Sequence, residues 1–68
     1  MEMSARNQLG GMVKKVRVGS MMSEVVMQVG DQDLVATITS GSARRMQMKA
    51  GDQVLVVIKA TEVMIAKE

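Results

Sequence analysis

Ser4 and Arg6 stand two residues apart near the start of the chain. In an extended segment such a spacing turns both side chains the same way, so a hydroxyl and a guanidinium can face one ligand. Arginine suits oxyanions because its fork of N–H donors delivers several charge-assisted hydrogen bonds at once. Far along the chain, Lys59 follows Leu55 and Val57 at alternate positions of a strongly apolar run. An ammonium there needs an anion or a route to water. Thr39 and Ser42 flank the junction between a strand pattern and a short helix pattern. Hydroxyls and free backbone N–H groups at such a junction also suit an anion. Taken together, Ser4, Arg6, Thr39, Ser42 and Lys59 offer hydroxyl donors and two cations, a set that fits a tetrahedral dianion. Each feature also has a plainer reading: a polar N-terminal tail, a lysine reaching solvent from a strand end, and Ser42 as a simple helix cap. The Arg44–Arg45 pair reads as a solvated helix face that adds positive potential.

What is missing narrows the field further. The 68 residues contain no His, no Cys and no aromatic residue. General acid–base and nucleophilic catalysis most often draw on His and Cys, so the chain reads as no enzyme. No phosphate-binding or dinucleotide fingerprint appears. Base-stacking platforms need aromatic side chains, which counts against single-strand nucleic-acid binding. Nine Met residues stand in for rings as flexible core filler. Net charge is only +2. The first residues carry no apolar stretch of the secretory type, and no run approaches a membrane span. A soluble, cytoplasmic protein is expected, with no membrane partner and no catalytic cofactor.

Strands must position these residues. Val16 and Val18 alternate with Lys15 and Arg17 over 12–18, after a polar N-terminal stretch over 1–8 expected to be extended. Val25, Met27 and Val29 alternate over 23–29; the turn over 30–33 then leads to Leu34, Ala36 and Ile38 over 34–39. Ser42 is placed to cap a helix over 43–46. The segment 53–58 is apolar on both faces, as if a second subunit covered one of them. A fifth strand is expected over 61–65, with Val63 and Ile65 alternating against Glu62 and Met64. The fold class predicted is all-β: a small five-stranded Greek-key barrel of OB type, one domain over 1–68, with one short helix between strands 3 and 4. A chain this short buries only about 60% of its unfolded surface. Without disulfides or a zinc site, oligomerisation is the remaining source of stability.

The same segments carry a family resemblance. Ser4-Ala5-Arg6-Asn7-Gln8-Leu9 and Ile58-Lys59-Ala60-Thr61-Glu62-Val63-Met64-Ile65 resemble the two signatures of the molbindins, also called Mop-domain proteins. Ser23-Glu24-Val25-Val26 and Gly51-Asp52-Gln53-Val54 lie where that family has similar stretches, so the resemblance spans essentially the whole chain. It implies an OB-like barrel assembled as a homohexamer, a trimer of dimers. Molybdate or tungstate would bind between subunits for storage and homeostasis. The resemblance places oxyanion contacts on Ser4 and Arg6, with Lys59 and Ala60 contributed by another subunit and Thr39 and Ser42 nearby. Ala60 stands where some relatives carry Ser, so it offers only its backbone N–H. A second oxyanion site near a threefold axis would map to Gly19, Ser20 and Met21, with Met22 bulkier than the small or polar residue expected there. The competing readings are an OB-type nucleic-acid-binding module and a purely structural oligomerisation module.

Overall fold

Among the described residues, alternating hydrophobicity produces four antiparallel strands and leaves the fifth expected over 61–65 unformed. The computed structural model describes residues 2–68, so position 1 of the N-terminal stretch lies outside the described residues. Strand β1 spans Asn7–Val18, β2 Met22–Val29, β3 Gln32–Thr39 and β4 Gln53–Ile58. Helix α1 covers Ser40–Arg45, and a 3-10 turn, η1, covers Ala60–Glu62. The sheet order is β3-β2-β1-β4. Three hairpin-linked strands followed by a fourth that returns beside the first is the Greek-key arrangement. The all-β expectation and the single helix between the third and fourth strands therefore hold.

Strand β1 serves two partners. Residues Asn7 to Met12 pair with β4, and Met12 to Val18 pair with β2. The handover sits at Met12, next to Gly11. A Cβ on Gly11 would lie 2.9 Å from the Gln28 carbonyl oxygen and 3.0 Å from Val29 Cγ2, so the glycine permits the close crossing. Just beyond it, a bulge between Val13 and Lys15 shifts the register. This corrects the alternation expected for the first strand. Val13 is buried and Val16 half-buried, whereas Val18 is exposed. The loop before β4 is stitched to the bulge: Val13 N–H donates to the Asp52 carbonyl, and Gly51 N–H to the Val13 carbonyl, both at 2.8 Å.

Val13, Val25, Met27 and Val56 form the core, with Leu34, Ala36, Ile38, Val54 and Ile58 packed against it. Parity thus works as expected in β2 and β3, and in β4 it is Val54, Val56 and Ile58 that turn inward. The outer face of β4 is bare: Leu55 is 48% and Val57 43% exposed. Leu55 lies opposite Gly10, which has no side chain to cover it. Across the sheet, Val35 of β3 is also exposed. Residues 63–68 form no strand, which corrects the fifth strand expected over 61–65. The η1 turn, closed by Glu62 N–H to the Lys59 carbonyl at 2.9 Å, ends β4 first.

Candidate functional site

The structure divides the residues singled out in the sequence into two groups, one beyond each end of β1. Arg6 precedes the first residue of that strand and Gly19 follows its last. At the first end, Asn7 pairs with Ile58, the last pair of β1 with β4, and Arg6 and Lys59 are the residues directly beyond it. The junction is reinforced by Asn7 Nδ2, which donates to the Ile58 carbonyl at 3.3 Å. Gln8 Nε2 donates to the Ala5 carbonyl at 2.7 Å and holds the preceding segment. The chain bends at Ser4 and at Arg6, so the extended-segment argument for their common direction does not apply. The Asn7–Ile58 pair, rather than period-two spacing, is what puts Arg6 and Lys59 at the same end of the sheet. Lys59 is exposed, as are Ser4, Arg6 and Ala60. The ion pairs among the described residues are Lys14–Asp33 at 3.0 Å and Lys49–Asp52 at 3.1 Å. Arg6 and Lys59 belong to neither, so both cations keep their donors. Glu62, at the end of the η1 turn, is the acid nearest in sequence to Lys59.

At the other end, Thr39 caps α1. The sequence reading put Ser42 in that role over a helix at 43–46; the helix instead begins at Ser40. Thr39 Oγ1 accepts from Ser42 N–H at 3.1 Å and donates to Ser42 Oγ at 2.8 Å. The Thr39 hydroxyl hydrogen is therefore committed to the cap. Ser42 Oγ also accepts from Arg45 Nη2 at 3.3 Å, leaving its own hydrogen to donate outward. Arg45 is exposed, as expected of a solvated helix face, and also reaches back one turn to Ser42 Oγ. The i,i+3 spacing of Ser42 and Arg45 was a readable signal for this contact. Helix α1 has six residues, under two turns, so its dipole adds little beside these side chains.

The 19–22 loop folds against the same junction. Ser23 and Ser40 are fully buried, and their hydroxyls meet at 2.7 Å. Ser40 Oγ donates to the Gly19 carbonyl at 2.7 Å, and Ser40 N–H donates to the Met21 carbonyl at 2.8 Å. Gly19 N–H turns back to the Met22 carbonyl at 3.1 Å, so it is occupied within its own loop. A Cβ at Gly19 would sit 2.4 Å from that carbonyl oxygen. Of the candidate second site over Gly19, Ser20 and Met21, the Ser20 hydroxyl remains as the side-chain donor, beside a Met21 that is 79% exposed. The buried serine pair was missed in the sequence, yet parity carried it. Ser23 continues the inward set Val25, Met27, Val29, and Ser40 continues Leu34, Ala36, Ile38.

A family model, the TOBE domain, matches residues 3–65. The chain belongs to the TOBE-domain family. Within it, the chain is 42% identical to molybdenum-pterin-binding protein 3 of Clostridium pasteurianum over 66 residues, covering 96% of this chain and 97% of that one. The solved molybdate binding protein from Sporomusa ovata superposes with a TM-score of 0.94 at 37% identity, over 98% of this chain and all of the other. MopII from Clostridium pasteurianum gives 0.90 at 34% identity, over 97% of this chain and 100% of that chain. The molbindin resemblance and the OB-like fold are thereby established. The chain is also 30% identical to the molybdenum transport protein ModE of Herbaspirillum seropedicae, spanning all of this chain but 26% of that longer protein.

Proposed function

We propose that this protein binds molybdate, and tungstate by the same chemistry, at sites completed between subunits of a homohexamer built as a trimer of dimers. The role is storage and homeostasis in the cytoplasm rather than catalysis. The observation that carries this reading is the split of donors. One chain presents Arg6 and Lys59, without ion-pair partners among the described residues, at one end of β1. It presents Ser42 and Arg45, with Thr39 behind them, at the other. Each half is too sparse to replace the hydration of a dianion. Two halves from neighbouring chains supply net positive charge and donors on several sides. The bare apolar strip of Leu55 and Val57, directly before Lys59, gives neighbouring chains a reason to meet there. The names of the relatives, molybdenum-pterin-binding and molybdate binding proteins, point to the same ligand class. No helix of the described residues is long and apolar enough to cross a membrane.

In this reading Ser4, Arg6 and Lys59 contact the oxyanion, Ala60 contributes its backbone N–H, and Ser42 donates from the facing side. Thr39 orients Ser42, because its own hydrogen is spent on the cap. The loop Gly19-Ser20-Met21 is the second, weaker site. Calorimetric titration with molybdate, tungstate and sulfate tests the assignment. Saturable uptake of the first two by an assembled hexamer is expected. Heat no different from a buffer blank for both molybdate and tungstate would end it.

A further inference from the structure

Arg6 and Lys59 carry like charges, stand directly beyond the last pair of β1 with β4, and have no ion-pair partner among the described residues. Before an anion arrives they repel each other, and each sits at a strand end, where little else holds the chain. Two neighbouring carboxamides oppose the splaying this invites. Asn7 Nδ2 donates to the Ile58 carbonyl at 3.3 Å, and that carbonyl belongs to the peptide plane leading into Lys59. Gln8 Nε2 donates to the Ala5 carbonyl at 2.7 Å, and that carbonyl belongs to the peptide plane leading into Arg6. A peptide unit is planar, so fixing its oxygen fixes its N–H and the direction in which the next residue leaves. Lys59 is held from its far side as well, where its own carbonyl accepts from Glu62 N–H at 2.9 Å. Consecutive side chains of a strand point to opposite faces, so one amide can reach across to β4 while the other folds back along its own chain. The residue type matters too. A carboxamide donates hydrogen bonds and carries no charge. An ionised Asp or Glu could not donate to these carbonyls, and it would pair with the cations that the site must keep free.

We propose that Asn7 and Gln8 are positioning residues of the oxyanion half-site: Asn7 acts through Lys59, Gln8 acts through Arg6, and neither touches the anion. The inference rests on the oxyanion reading of this end of β1. What the two amides supply is preorganisation. Backbone already in place need not be ordered when the anion binds, and affinity gains by the ordering cost avoided. The assignment is specific, because each amide serves one cation and not the other.

Asn7→Leu and Gln8→Met keep the size of the side chain and remove the donor. Calorimetric titration with molybdate reads each variant alone and in combination with Arg6→Ala or Lys59→Ala. Each alone is expected to weaken binding about 2–10-fold, the range set by ordering one long side chain on binding. The Asn7→Leu effect is expected to vanish where Lys59→Ala is already present and to persist beside Arg6→Ala. Gln8→Met is expected to show the reverse. Such crossed coupling is what residues acting through a single neighbour produce. A general loosening of the sheet end would weaken binding equally in both backgrounds. That result, or variants that bind as the unaltered protein does, overturns the proposal and leaves the oxyanion reading standing. An unaltered protein that takes up no molybdate overturns both. Amide nitrogen relaxation, measured with no oxyanion present, gives an independent reading. The order parameter of Lys59 is expected to fall in Asn7→Leu and that of Arg6 in Gln8→Met, with the other cation unchanged in each. Order parameters unchanged in both variants overturn the proposal as well.

Discussion

Removing the Ser40 hydroxyl should cost more than removing the Ser23 hydroxyl, although the two touch each other and are equally buried. The reason lies in the direction of the hydrogens. A serine has one O–H. Ser40 spends its hydrogen on the Gly19 carbonyl at 2.7 Å, so the 2.7 Å contact between the serines must have Ser23 as donor. Ser23→Ala removes that donor and leaves Ser40 still bonded to Gly19; the loss is a single hydrogen bond, about 1 kcal/mol. Ser40→Ala strands two groups, the buried Ser23 O–H and the Gly19 carbonyl. At roughly 1–3 kcal/mol for each unsatisfied group, about 2–6 kcal/mol is expected. The double variant strands only the carbonyl, so it should be no worse than Ser40→Ala alone. The pair is therefore strongly non-additive, as contacting residues in one network can be. Urea unfolding of the four proteins at one fixed protein concentration measures this, since assembly links stability to concentration. Equal costs for the two single variants, or a double variant equal to their sum, would refute the assigned directions.

Arg6→Ala and Lys59→Ala should each weaken molybdate binding about 10–100-fold, the worth of one charge-assisted contact, in calorimetric titration. Gly19→Ala should destabilise by about 1–3 kcal/mol, because the new Cβ meets the Met22 carbonyl oxygen at 2.4 Å, and thermal melting will show it. Asp52 titrates below its ordinary value of 3.8, because it accepts hydrogen bonds from the Lys49 side chain and from the Lys49 backbone N–H. A carboxylate with a depressed folded-state value stabilises above its unfolded value and loses that contribution as pH falls through the folded one. The melting-temperature gap between the protein and Asp52→Asn should therefore be present at neutral pH and close as pH falls below that 3.8.

Much of this fold was legible because parity is strict where one face of a strand is buried. Val25 and Met27 on β2, and Ala36 and Ile38 on β3, could be placed inward from alternation alone. The strand β1 resisted because its bulge between Val13 and Lys15 resets parity midway, and no residue type announces a bulge there. Its early start at Asn7 was missed because the alternation begins only at 12; Gly11 lets the strand run on through the close crossing. The fifth strand over 61–65 has the right residues, yet the η1 turn directs it away from its own sheet. A strand pattern says that a segment wants a partner, and it does not say which chain supplies one. The candidate site shows the same division. Cations and hydroxyls could be picked out as types, but their grouping depends on register and on the cap at Thr39. Arg45 and the Ser23–Ser40 pair had signals in spacing and parity that only their neighbours' positions make specific.

Anomalous scattering from crystals grown with molybdate tests the shared site most directly. A molybdenum peak is expected between two chains, with the Arg6 guanidinium and the Lys59 ammonium about 3 Å from its oxygens and with groups from both chains in contact. Peaks lodged within a single chain, or none near Arg6 and Lys59, would contradict the account.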